Sequence, residues 1–139
     1  MACLDRLFEK YDKLFLFDTE TTGLIYSRDE IIEFAAVVLE KREGEITVTE
    51  EYDELITLSP GGFVPAQIEA LTGITNQDIR ERGIPKTRVC CDIARMIAGN
   101  TLLLAYNAHF DLSFLFYLLL RDGDPRILKG KDKLDLLTV

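Results

Sequence analysis

Asp18 and Glu20 stand two residues apart at the end of the apolar run LFLF, Leu14 to Phe17. In an extended strand side chains alternate with period two, so both carboxylates fall on one side. At a separation of about 5 Å and an effective dielectric near 20 their repulsion is of the order of 3 kcal/mol. A bound cation would remove that cost; a solvated turn would screen it. Asp111 is the third acid of interest, directly preceding LSFLFYLLL. Taken alone it reads first as the N-cap of that helix, with Phe110 at N′ and Leu115 at N4 in the spacing of a hydrophobic staple, although it is also a carboxylate available for chemistry. His109, the sole histidine, reads first as a helix-start residue, although its type also suits a general base or a metal ligand. Three cysteines, two of them adjacent at Cys90 and Cys91, make neither a disulfide framework nor a thiolate and imidazole zinc site. Any metal is therefore expected to be held by oxygen.

The elements that position these groups follow from apolar patterning. KLFLFD, residues 13 to 18, has the continuous hydrophobicity of a strand buried on both faces. Ile31 to Glu40 and Glu45 to Thr57 are rich in β-branched residues, and the polar stretch Lys41 to Gly44 between them suits a hairpin. Pro65 opens and Gly73 closes a short helix carrying Ile68 and Leu71, and a second short helix spans Asn76 to Glu81 with Thr75 or Asn76 as cap. Val89, Ile93 and Ile97 at four-residue spacing predict a third over about Lys86 to Ala98. A fourth strand is expected at Leu102 to Tyr106, an apolar helix at Phe110 to Arg121, and a fifth strand in the closing LDLLTV. Three antiparallel strands followed by helix, strand, helix and strand predict an α/β mixed sheet with helices on its faces.

The 139 residues carry 16 Lys and Arg against 24 Asp and Glu, a net charge of −8, with 47% hydrophobic residues, enough for one domain with a sizeable core. The longest apolar run, Phe114 to Leu120, is far short of the roughly 18 residues of a membrane span. Charged residues interrupt the first dozen positions, so no signal or transit peptide is written there and a cytoplasmic location is expected. The acidic balance argues against a domain that grips nucleic acid with its whole surface, but not against a substrate bound through metal ions.

FDTETTGL at Phe17 to Leu24, followed by DEIIEFAAV at Asp29 to Val37, resembles the first motif of the DEDD 3′ to 5′ exonucleases. NAHFDLSFL at Asn107 to Leu115 resembles their second motif, in the branch of the bacterial DNA polymerase III proofreading exonucleases and ribonuclease T. The segment Pro65 to Thr75, P-x-x-I-x-x-L-T-G-I-T, resembles the spacer that many members of that branch carry. The resemblance spans about residues 13 to 138. It implies a ribonuclease-H-like fold and hydrolysis of nucleotides from a 3′ end with two Mg²⁺ or Mn²⁺ ions. Asp18 would then bridge both ions, Glu20 would bind the ion carrying the nucleophile, and Asp111 would join the second. Gly23 would let the turn approach the terminal nucleotide, Thr21 would lie near its 3′ hydroxyl, and Leu24 would press on the last base. Asn107 and Phe110 would neighbour the same nucleotide. For Leu24 and Phe110, ordinary core packing is the competing reading. Nothing in these residues separates DNA from RNA.

The branch's third motif, a His followed five positions later by the fourth carboxylate, has no counterpart after Asp111, and no Tyr follows Tyr117 to supply the alternative version. KLDLLTV resembles the strand that precedes that motif, with Asp135 where many relatives carry an Asp that is not the fourth ligand. The expectation is a single exonuclease domain over 1–139, incomplete at its carboxyl end, weak or inactive alone, and inclined to self-associate through uncovered apolar surface. A non-catalytic module that binds a nucleic-acid 3′ end or a DNA polymerase is the alternative. An acidic decoy protein has only the charge in its favour.

Overall fold

A computed structural model describes residues 2 to 138. The chain forms α1 (Ala2–Leu7), β1 (Lys13–Thr21), β2 (Ile31–Arg42), β3 (Glu45–Leu55), α2 (Ala66–Thr72), α3 (Asn76–Arg82), α4 (Lys86–Met96), β4 (Thr101–Ala105), α5 (Ala108–Asp122) and β5 (Lys133–Asp135), with 3₁₀ turns at Pro125–Leu128 and Leu136–Thr138. The five strands make one sheet in the order β3-β2-β1-β4-β5. β1 to β3 are antiparallel neighbours, whereas β4 and β5 run parallel to β1. The mixed α/β sheet expected from the sequence is therefore present.

β1 occupies the centre because it is apolar on both faces. Phe15 and Phe17 point into the main core, where they meet Phe34 of β2, Ile93 of α4 and Leu115 and Leu119 of α5. Leu14 points the other way into a smaller cluster with Leu102 and Leu104, against which Leu4, Leu7 and Phe8 pack. The β2–β3 hairpin closes on only two residues, Glu43 and Gly44, both with positive φ, the backbone that matches strand twist in a two-residue turn. Thr75 caps α3 in a reciprocal capping box with Asp78.

Two elements differ from the expectation. α1 was not anticipated, since a six-residue helix carries too little periodicity to stand out. The closing strand is only Lys133–Asp135, because Leu136 to Thr138 turn into 3₁₀ geometry; Val139 lies outside the described residues. α2 is the short helix expected between Pro65 and Gly73; Ile68 packs, partly buried, against the cluster of Ile32, Leu55, Val64, Ile74 and Ile79, while Leu71 is 80% exposed. Among the described residues no helix is long and apolar enough to cross a membrane.

Candidate active site

The site arises where β1 outlasts its parallel neighbour. Pairing with β4 ends at Leu16 opposite Leu104, while pairing with β2 continues to Thr21. From Phe17 onward one edge of β1 is open, and the chain leaving β4 at Ala105 turns there into α5. Strand alternation buries Phe17, Thr19 and Thr21 and turns Asp18 and Glu20 to the other face, as the spacing predicted. Asp18 is exposed and Glu20 half-buried.

Asp111 is not a helix cap. Asn107 takes that position, α5 already begins at Ala108, and the Asp111 amide donates to the Asn107 carbonyl at 3.0 Å. The staple of Phe110 and Leu115 about an Asp111 cap therefore does not form. Asp111 lies in the first turn with its side chain only 2% exposed, and Oδ1 accepts the Thr19 hydroxyl at 2.7 Å. That bond joins α5 to the open edge of β1 and brings the third acid to the first two. The backbones at Thr19 and Asn107 also bond this carboxylate, yet a buried acid with no cationic partner remains costly unless it serves something beyond the fold.

The carboxylates feel one another's charge. Burial pushes the Glu20 carboxyl above its ordinary range, and the negative charges of Asp18 and Asp111 add to it. Asp111 is raised by burial, opposed by the Thr19 hydrogen bond, and raised further by Asp18. Two acids not singled out from the sequence join them. Glu33 lies opposite Glu20 in the β1–β2 register, and its carboxyl is pushed up to about 7 by burial, by a hydrogen bond and the charge of Asp53, and by Glu20 and Asp18. The β1–β2 register, which no local pattern fixes, sets Glu20 against Glu33, a like-charge pair that a sheet avoids without a reason. Among the described residues no lysine or arginine pairs with any of these five acids.

An all-carboxylate donor set carrying uncompensated negative charge fits a hard divalent cation such as Mg²⁺ or Mn²⁺ in kind. No three or more acid, His or Cys side chains among the described residues close into a ready cage. Asp18 also forms part of the wall of a cleft of about 600 Å³ on the sheet face, beside Leu16, Val37, Leu104 and Asp53.

The loop after β1 bears the remaining residues of the first motif. The Thr21 hydroxyl donates to the Gly23 carbonyl at 2.6 Å and so is engaged within the turn. A Cβ on Gly23 would lie 2.4 Å from the Asp29 carboxylate, so the absent side chain makes room for Asp29, which accepts the Ile25 amide at 3.0 Å. Leu24 is 82% exposed, which rules out core packing for it. Phe110 is half-buried against the main core with its ring 4.8 Å from Phe114, so packing accounts for much of that residue. Asn107 is exposed and makes no side-chain cap. His109 faces outward on α5, lining a different cavity.

A lock that the sequence did not disclose holds the base of this loop. The Glu30 amide donates to Thr22 Oγ1 at 3.0 Å, and Glu30 Oε1 accepts the Ser59 hydroxyl at 2.7 Å and the Lys86 ammonium. Burial alone would raise the Glu30 carboxyl, but the bonds from Lys86 and Ser59 outweigh it and hold the group low.

The exonuclease (ribonuclease T) family profile matches residues 15–137, and the chain belongs to that family. It is 38% identical over 109 residues to the 3′-5′ exonuclease DinG of Bacillus subtilis (strain 168), covering 78% of this chain and 11% of that protein. It is 38% identical over 102 residues to the DNA polymerase III subunit epsilon of Treponema pallidum (strain Nichols), covering 71% of this chain and 42% of the subunit. The chain thus spans less than half the length of either relative. Among solved structures, product-bound exonuclease I superposes with a TM-score of 0.81 at 22% identity, over 92% of this chain and 30% of that one. Escherichia coli exonuclease I in complex with a dT13 oligonucleotide gives a TM-score of 0.79 at 23% identity, over 91% and 28%. The architecture is ribonuclease-H-like, as the motifs implied.

Proposed function

We propose that this domain removes nucleotides from the 3′ end of single-stranded DNA or RNA, with Asp18, Glu20 and Asp111 holding two Mg²⁺ or Mn²⁺ ions. The observation that carries this reading is the gathering of three unneutralised carboxylates at the open edge of β1, one of them buried at 2% exposure. Divalent ions held there would lower the pKa of water and offset the charge that develops on the phosphate. Asp18, being exposed, is the carboxylate most accessible to an incoming phosphate. Thr19 and the backbone at Asn107 fix the orientation of the Asp111 carboxyl. Leu24 offers its exposed side chain to the terminal base, while Thr21 and Gly23 hold the turn beneath it and Asn107 and Phe110 flank the start of α5.

No histidine stands among the carboxylates in the described residues, since His109 faces outward. A positioned general base is worth about 10² to 10⁴ in rate, so the 139 residues alone cleave slowly or not at all. The kinship with DNA polymerase III subunits makes a polymerase a natural partner. The lack of a closed cage favours one other reading, a non-catalytic module that binds a 3′ end or a polymerase.

The test uses 3′-labelled and 5′-labelled single-stranded DNA and RNA with Mn²⁺, alongside Asp18→Ala. Slow release of mononucleotides from the 3′ end, lost in Asp18→Ala, supports the enzyme. Metal-independent binding without cleavage, unchanged in Asp18→Ala, supports the module.

A further inference from the structure

The outward side of α5 carries a cavity of about 580 Å³ unlike the rest of the surface. Tyr26, from the loop after β1, and Phe116 and Tyr117, from α5, contribute three aromatic rings, and Lys129 and Lys133 contribute two ammonium groups. Tyr26 and Phe116 are each 42% exposed, so neither ring is spent on the core. The Tyr26 and Tyr117 rings lie 5.1 Å apart and the Phe116 and Tyr117 rings 5.8 Å apart, edge to face, giving a nearly continuous aromatic wall. Lys133 donates to the Lys131 carbonyl at 2.9 Å, and among the described residues neither Lys129 nor Lys133 has an ion-pair partner. In a chain of net charge −8, two lysines beside exposed rings are an exception to the overall charge, with the carboxylate of Asp132 the acid that acts on Lys133.

We propose that this cavity is a second nucleotide subsite, in which a base of single-stranded nucleic acid stacks on Phe116 and Tyr26 while Lys129 and Lys133 hold its phosphates. Aromatic faces and ammonium groups match the two chemically distinct halves of a nucleotide, and stacking tolerates any base. The subsite is separate from the carboxylates, because Asp111 faces the sheet whereas Phe116 faces solvent on the same helix. It rests on the proposed function only in taking the same class of ligand, and it lets a strand be held upstream of its end.

Two binding series test it on the full chain. In the first, a fluorescent oligothymidylate long enough to reach both sites is titrated at several salt concentrations against wild type, Phe116→Ala and the double variant Lys129→Gln/Lys133→Gln, each with its melting temperature recorded. Phe116→Ala is expected to weaken binding roughly tenfold. The double variant is expected to make the log–log salt slope shallower by about 1.4. In the second, Mn²⁺ alone reports the carboxylates and is expected to bind all three proteins equally. Oligonucleotide binding unchanged in folded variants, or no binding by wild type, overturns the subsite. Failure of Mn²⁺ to bind, with Phe116-dependent oligonucleotide binding intact, overturns the carboxylate reading and leaves the subsite standing.

Discussion

Asp111 is the residue whose environment departs furthest from what folding alone would choose. It is buried to 2% exposure, accepts one hydroxyl from Thr19, and is pushed toward its neutral form by burial and by Asp18. Asp111→Asn keeps the acceptor for Thr19 and removes the charge, so the metal-free variant is expected to melt at or a few degrees above wild type while losing any Mn²⁺-induced stabilisation. Thermal melting with and without Mn²⁺ checks both halves. Glu33 gives a pH prediction. Its carboxyl, ordinarily near 4.5, is pushed up to about 7, so between those values the fold binds protons that the unfolded chain releases. The stabilisation is full below about pH 4.5 and is lost as pH rises to about 7, and the raised Glu20 and Asp111 act in the same direction. Glu33→Gln should flatten this decline, stabilising by about 1 kcal/mol at pH 8 after allowance for solvent screening, or some 3 to 6 °C. Asp18 and Glu20 were legible from period-two alternation. Glu33 was not, because its proximity depends on which residue of β2 faces Glu20, and only the paired strands show that.

At the scale of elements, the Glu30, Ser59 and Lys86 lock ties the loop after β1 to the segment before α2 and to the start of α4. Lys86 and Glu30 have side chains 14% and 18% exposed, so removing one partner leaves the other charge poorly solvated. Lys86→Met is expected to cost about 2 to 3 kcal/mol and to speed hydrogen exchange at the Thr22 amide, which donates to the Glu30 carbonyl at 2.9 Å. Native-state exchange distinguishes this from general destabilisation, because amides of β4 should keep their relative protection. Hairpin, caps and long helices could be read from composition, since Gly44, Thr75 and the Val89, Ile93, Ile97 spacing act locally. The cap reading of Asp111 fails for the opposite reason. A local staple pattern at Phe110 and Leu115 imitates a helix start at Asp111, whereas the cap is Asn107, four residues earlier, and the Asp111 side chain bonds Thr19.

For the molecule as a whole, a sheet in the order β3-β2-β1-β4-β5 positions its chemistry by ending β4 before β1 does. Fold and family were legible because three motifs in order outweigh the ambiguity of any one, whereas the aromatic and lysine cavity on α5 joins residues from 26 to 133 that no local pattern connects. Exposed Phe63, Leu71 and Tyr106, each more than 60% accessible, add uncovered apolar surface, and light scattering at rising concentration is expected to show reversible self-association. The central claim is that Asp18, Glu20 and Asp111 form one divalent-cation site. Calorimetric titration of Mn²⁺ into the metal-free protein, beside Asp18→Ala, tests it most directly. Saturable binding to wild type that is lost in the folded variant is the predicted result; no binding, or equal binding to both, would contradict it.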